Sequence, residues 1–183
     1  MRDIAGYTLF LDRDGVLNER IIGNYVTKPE EFVIIDGVLE ALKKFSVIFG
    51  RIVIVTNQQG IGKGLMTEDD LTKVHDMFLN TVVDYGGRID NIYFSPSLES
   101  EHSFYRKPNI GMALKAKKDF PEIRFRRSVM VGDSLSDMKF GKNAGMMTIL
   151  VGDNPDIAKE YPKLVDYYYP TLFDFSKEIE PKQ

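Results

Sequence analysis

The chain has no cysteine, which excludes a disulfide framework and any thiolate zinc site. It has no excess of positive charge: the net charge of −3 argues against a nucleic-acid partner, which favours a basic face. No apolar run approaches the ~20 residues that span a bilayer, so no membrane role is expected. The first residues lack a signal-peptide pattern, because the apolar run begins within seven residues and soon meets charge. There is no internal repeat and no low-complexity tract. These absences point to a cytoplasmic protein working on a small molecule, and nothing demands more than a monomer.

What is present is ordinary in bulk and patterned in detail. Over 183 residues, 43% are hydrophobic and 28% charged, which suits one globular domain over 1–183 with a sizeable core. Tyr7 to Leu11, Arg51 to Val55, Ile89 to Phe94, Ser128 to Val131, Met147 to Val151 and Val165 to Tyr169 read as strands. Between them, Val38, Leu42, Phe45 and Phe49 recur at helical spacing. So do Leu71, Val74, Phe78 and Val82 after the N-cap Thr67. Further helices are expected from about Ile110 to Phe120, from Ser134 to Ala144, and from Leu172. Strands alternating with helices predict an α/β fold, a central parallel sheet with helices on both faces. In such sheets ligands gather at the carboxyl ends of the strands.

Those ends carry the chemistry. The first strand stops at Asp12 and Asp14 in LDRDG, two carboxylates pointing to one side of extended chain. Their mutual repulsion calls for a cation or a proton, so the pair suits a divalent-metal site with one acid free to attack and the other to move protons. A solvated turn is the plainer alternative. The second strand ends in VTNQQGIGKG, where Thr56 and Asn57 can offer donors to an anion and Gly60, Gly62 and Gly64 permit close backbone approach. That segment is not a Walker loop, since Leu65 follows Gly64. Arg106 and Lys107 precede Pro108 and could present charge to a phosphate, and Asp133 and Asp137 lie one helical turn apart after the fourth strand. Asp133 could equally cap the helix. All four segments fall on one edge of one sheet.

In that order, the segments resemble the four motifs of the haloacid dehalogenase superfamily: DxD, Thr, Lys and GDxxxD, spanning Leu9 to about Val151. Within it, DRDGVLN, NYV, VTNQQGIGKG with TEDD, RKP and GDSLSDM are similar to the histidinol-phosphate and heptose-bisphosphate phosphatase group, and most to the D-glycero-D-manno-heptose-1,7-bisphosphate 7-phosphatases. The resemblance implies a three-layer Rossmann-like fold without a large cap domain. Many members carry a zinc-binding Cys/His loop before RKP; here that stretch is SPSLESEHSFY, with a lone His102, so zinc is not expected.

The implied chemistry is phosphomonoester hydrolysis through an aspartyl-phosphate. Asp12 is the expected nucleophile and Asp14 the acid and base. Thr56, Asn57 and Lys107 are expected to stabilise the phosphoryl oxygens. Magnesium is expected on Asp12, the backbone carbonyl of Asp14 and Asp133, with Asp137 orienting Asp133 or a metal-bound water from behind. Arg106, Asn24 and Tyr25 are the expected substrate contacts, and a sugar phosphate is the expected substrate. Histidinol phosphate is the nearest alternative. A non-catalytic phosphate-binding paralogue, a nucleic-acid 3′-phosphatase and a sugar-nucleotide transferase are weaker ones. His75 is read as a surface or packing residue.

Overall fold

The computed structural model describes residues 4–180. Its elements are β1 (Thr8–Leu11), α1 (Val38–Ile48), β2 (Arg51–Asn57), α2 (Gln59–Gly62), α3 (Glu68–Asp84), β3 (Asn91–Ser95) and α4 (Gly111–Asp119). There follow β4 (Ser128–Gly132), α5 (Leu135–Ala144), β5 (Met147–Val151), α6 (Asp156–Glu160), β6 (Tyr167–Tyr169) and α7 (Leu172–Lys177). The six strands form one sheet in the order β3-β2-β1-β4-β5-β6, and every pairing is parallel. Among the described residues no helix is long and apolar enough to cross a membrane.

The three layers follow from period-two alternation in buried strands. Leu9, Leu11, Ile52, Ile54, Val129 and Val131 face one core, shared with Leu42 and Phe45 of α1, Phe78 of α3 and Phe175 of α7. Phe10, Val53, Val55 and Met130 face the other, shared with Met112 and Ala113 of α4 and Phe140 of α5. The expected strand and helix order is therefore observed, and no cap domain interrupts it. The chain leaves β1 towards β3 on one side, then returns to β4 on the other. This places the topological switch point between β1 and β4.

Two elements differ from the sequence expectation. The glycine-rich segment after β2 is not an open loop but contains the helical turn α2. A Cβ on Gly62 would lie 2.6 Å from the carbonyl oxygen of Pro96, and one on Gly60 3.1 Å from Tyr25 Cγ. These glycines let the turn pack against neighbouring loops, a structural reason for them that the sequence did not separate from anion binding. The short α6 was not expected, since five residues carry too little periodicity to register.

Phe45 is fully buried, with its ring centroid 5.5 Å from Phe49 and 5.3 Å from Phe175. Phe45→Ala is expected to lower the unfolding free energy by about 3–5 kcal/mol in urea titrations, as large core truncations do. A loss within a few tenths of a kcal/mol would mean that α1 and α7 lie outside the cooperative core.

Candidate active site

Parallel pairing of β1 with β4 matches Leu11 to Val131, and the Asp12 N–H donates to the Val131 carbonyl at 2.9 Å. The residues just beyond both strands therefore emerge together. One ligand oxygen each from Asp12, Asp133 and Asp137 lies within 4.8 Å of the others. Asp133 is not the helix cap: Ser134 caps α5, in a capping box with Asp137. That leaves the Asp133 carboxylate free for the site. Gly15 has φ +87°, and a Cβ there would sit 2.0 Å from Asp133 Oδ2, so only glycine lets the loop after β1 close onto this acid.

Lys107 enters the cluster from beneath. Its Nζ lies 2.8 Å from Asp12 Oδ1 and 2.5 Å from Asp137 Oδ1, and donates to the Val55 carbonyl at 2.9 Å. It is thus held by one hydrogen bond and two short ion pairs. Asn57, expected to face an anion, lines the cavity and also clamps this residue: Lys107 N–H donates to Asn57 Oδ1 at 3.0 Å and Asn57 Nδ2 donates to the Lys107 carbonyl at 3.2 Å. Burial and then repulsion by Asp137 push Asp12 up to about 8, against the attraction of Lys107. Burial and Asp137 likewise push Asp133 up to about 6, against Arg20 and Lys107. Burial works against the charge on Lys107, but Asp12 and Asp137 outweigh it and hold its pKa above the ordinary value.

The Asp14 side chain does not join this cluster. Arg13 Nη2 donates to its Oδ1 at 2.8 Å, Asn18 Nδ2 to the same oxygen at 3.0 Å, and Gln58 Nε2 to its Oδ2 at 2.9 Å. Burial raises its proton affinity, but Arg13 overrides this and holds it below the usual carboxylate range. Gln58 Nε2 also donates to Thr56 Oγ1 at 2.8 Å, leaving the Thr56 hydroxyl proton to point elsewhere. Arg13 is itself buried, lies over the Phe32 ring, and has its Nη1 3.3 Å from His75 Nε2. A guanidinium only donates, so His75 Nε2 accepts and the ring proton resides on Nδ1. Burial, and next the charge of Arg13, lower His75 to about 3.

Above these groups opens a cavity of about 440 Å³ lined by Asp12, Asp14, Thr56, Arg20, Lys63 and Arg106, among others. Asn24 and Tyr25 also line it. The Asn24 side chain accepts from the Tyr25 N–H, and Lys63 Nζ lies 5.2 Å from the Tyr25 ring centroid. Arg106 donates to the Ser97 carbonyl at 3.2 Å. Every expected site residue thus falls at one end of the sheet. The donor set around Asp12 and Asp133 is all oxygen, which fits a hard divalent cation rather than zinc or copper.

Residues 104–173 match the family described as "HAD-hyrolase-like". A D-glycero-alpha-D-manno-heptose-1,7-bisphosphate 7-phosphatase of Campylobacter jejuni is 41% identical over 143 residues, 78% of this chain and 80% of that one. The D-glycero-beta-D-manno-heptose-1,7-bisphosphate 7-phosphatase of Pasteurella multocida is 35% identical over 179 residues, 94% of this chain and 96% of that one. The chain belongs to the D-glycero-D-manno-heptose-1,7-bisphosphate 7-phosphatase group of the haloacid dehalogenase superfamily. The crystal structure of the D,D-heptose 1,7-bisphosphate phosphatase of B. bronchiseptica, complexed with magnesium and phosphate, superposes with a TM-score of 0.85 at 26% identity, covering 94% of this chain and 97% of that one.

For a member of this phosphatase group, the sequence reading missed the residues that hold the named ones in place. Arg13 stands between the two motif aspartates and was passed over, Gln58 was hidden by the glycines after it, and Arg20 and Lys63 lie in loops with no spacing signal. His75, expected at the surface or in packing, is buried and packs on Arg13.

The neutral state of His75 carries a pH signature. The unfolded chain takes up this proton near pH 6.5 and the folded chain only near 3. Stability is therefore full above 6.5 and falls as the pH drops towards 3, by up to about 1.4 kcal/mol per pH unit. Chemical unfolding of wild type and His75→Gln from pH 7.5 to 4.5 should show the variant losing less stability on acidification; parallel pH curves would contradict a buried neutral imidazole.

Proposed function

We propose that the protein is a magnesium-dependent phosphatase that removes a phosphoryl group from a heptose bisphosphate of the D-glycero-D-manno-heptose 1,7-bisphosphate type. The observation that carries this reading is the gathering of Asp12, Asp133 and Asp137 beneath the cavity, with Lys107 paired to Asp12 and Asp137, in a chain with relatives of that name. Asp12, the backbone carbonyl of Asp14 and Asp133 would hold the ion, which screens the negative charges of nucleophile and phosphate from one another.

Asp12 Oδ1 is tied to the Arg13 N–H at 2.7 Å and to Lys107. Oδ2 is the oxygen left for in-line attack on phosphorus, forming an aspartyl-phosphate as the bond to the sugar oxygen breaks. Asp14 gives a proton to that departing oxygen; a dianionic phosphoester arriving beside it raises its proton affinity against the pull of Arg13. In the second half-reaction the same carboxylate, held ionised by Arg13, takes a proton from the water that opens the acyl phosphate. The Thr56 hydroxyl donates to a phosphoryl oxygen. Lys107 keeps Asp12 and Asp137 in place, and Asp137 serves by orienting Lys107 and the start of α5.

The substrate end of the cavity favours a second anion. Arg20, Lys63 and Arg106 line it, while its carboxylates belong to the reaction centre. That lining suits the remaining phosphate of a bisphosphate and offers no acid for the cationic amine of histidinol phosphate. We read the enzyme as a monomer of the cytoplasm without membrane or nucleic-acid partners; the lack of cysteine suits a reducing compartment, and the net charge of −3 disfavours nucleic acid.

The test is phosphate release from D-glycero-D-manno-heptose 1,7-bisphosphate, histidinol phosphate and a hexose monophosphate, with magnesium and after chelation. Turnover should need the metal and favour the bisphosphate. Asp12→Asn should lower it by about 10⁴-fold or more, as loss of a covalent nucleophile does, with an unchanged circular dichroism spectrum. Near-normal turnover by that variant would remove Asp12 from its role.

A further inference from the structure

Among the described residues two cations pair with the carboxylate cluster, and they are held very differently. The Lys107 side chain is 1% exposed, ion-paired with Asp12 and Asp137, hydrogen-bonded to the Val55 carbonyl, and its backbone is clamped by Asn57. Arg20 comes from the loop after β1 and its side chain is 53% exposed. Its Nη2 lies 2.8 Å from Asp133 Oδ1 and 3.3 Å from the carbonyl oxygen of Asp14. Asp133 and the Asp14 carbonyl are, with Asp12, the groups assigned to the metal. Spare lone pairs remain on these oxygens, but a guanidinium and a divalent ion crowded into one oxygen cradle repel each other.

We propose that Arg20 is a placeholder cation of the metal site: it neutralises Asp133 while the divalent ion is absent and must be displaced before the ion can bind. The inference rests on the magnesium reading above and adds to it that the ion's affinity is set by competition within the chain. The other neighbouring cations cannot play this part. Arg13 is buried against Asp14 and His75, and Lys63 sits over Tyr25. Lys107 would have to abandon three buried partners. Among the described residues, only Arg20 combines contact with the ligand atoms and an exposed side chain. The cavity that Arg20 lines with Ile21 and Asn24 offers the space into which it would move.

The arrangement implies a closed thermodynamic cycle. Whatever Arg20 contributes to the metal-free fold, it subtracts from metal binding, because the loaded protein no longer contains its contact with Asp133. Arg20→Gln keeps a polar side chain without the charge, and Arg20→Lys keeps the charge.

Calorimetric titration of magnesium chloride into chelator-treated wild type, Arg20→Gln and Arg20→Lys tests this directly. Arg20→Gln should bind about fivefold tighter than wild type, the scale of a partly exposed ion pair, and Arg20→Lys should fall near wild type. Without metal Arg20→Gln should melt below wild type, and with saturating magnesium the two should melt together. Equal or weaker binding by Arg20→Gln overturns the placeholder role while leaving the metal reading intact. No binding by any of the three overturns the metal reading and this inference with it.

Discussion

The structure is organised around a repulsion. Three aspartates from two distant parts of the chain converge at the β1–β4 switch point, and burial deprives them of the water that would screen their charges. Nothing in packing alone would bring such groups together. What makes the cluster tolerable is Lys107 inside it, Arg20 at its edge and a capping hydroxyl from Ser134. The raised proton affinities of Asp12 and Asp133 measure how incompletely these neighbours compensate. A site short of positive charge is suited to take up a divalent cation and, through it, a phosphate.

The second carboxylate of the first motif lives in a separate electrostatic world only two residues away. Asp14 is surrounded by donors from Arg13, Asn18 and Gln58, so its proton affinity is lowered where that of Asp12 is raised. Pushing two nearby acids in opposite directions is how one small site divides a nucleophile's work from a proton carrier's. The Arg13–His75 contact extends this support to α3, linking the proton carrier to a helix whose other business is the hydrophobic core.

The fold was legible because its strands are buried on both faces and announce themselves as apolar runs, and because Thr67 and the turn after Gly132 mark helix starts chemically. The reacting residues were legible because each stands at a strand end. The supporting residues were not. Gln58 and Asn57 are neutral amides whose roles depend on what lies opposite, and Arg20 reaches Asp133 across 113 positions of chain. The glycines of α2 show the reverse failure: a pattern that suggests ligand approach serves close packing on Pro96 and Tyr25.

Asp137 belongs to two structures at once. One of its oxygens closes the cap of α5 with Ser134, and the other pairs with Lys107. The first turn of that helix and the lysine beneath the nucleophile are therefore mechanically joined, so that fraying at one is felt as misplacement at the other. An inactive variant at this position reports on helix initiation as much as on chemistry, and only a substitution that keeps the cap while losing the pairing would tell the two apart.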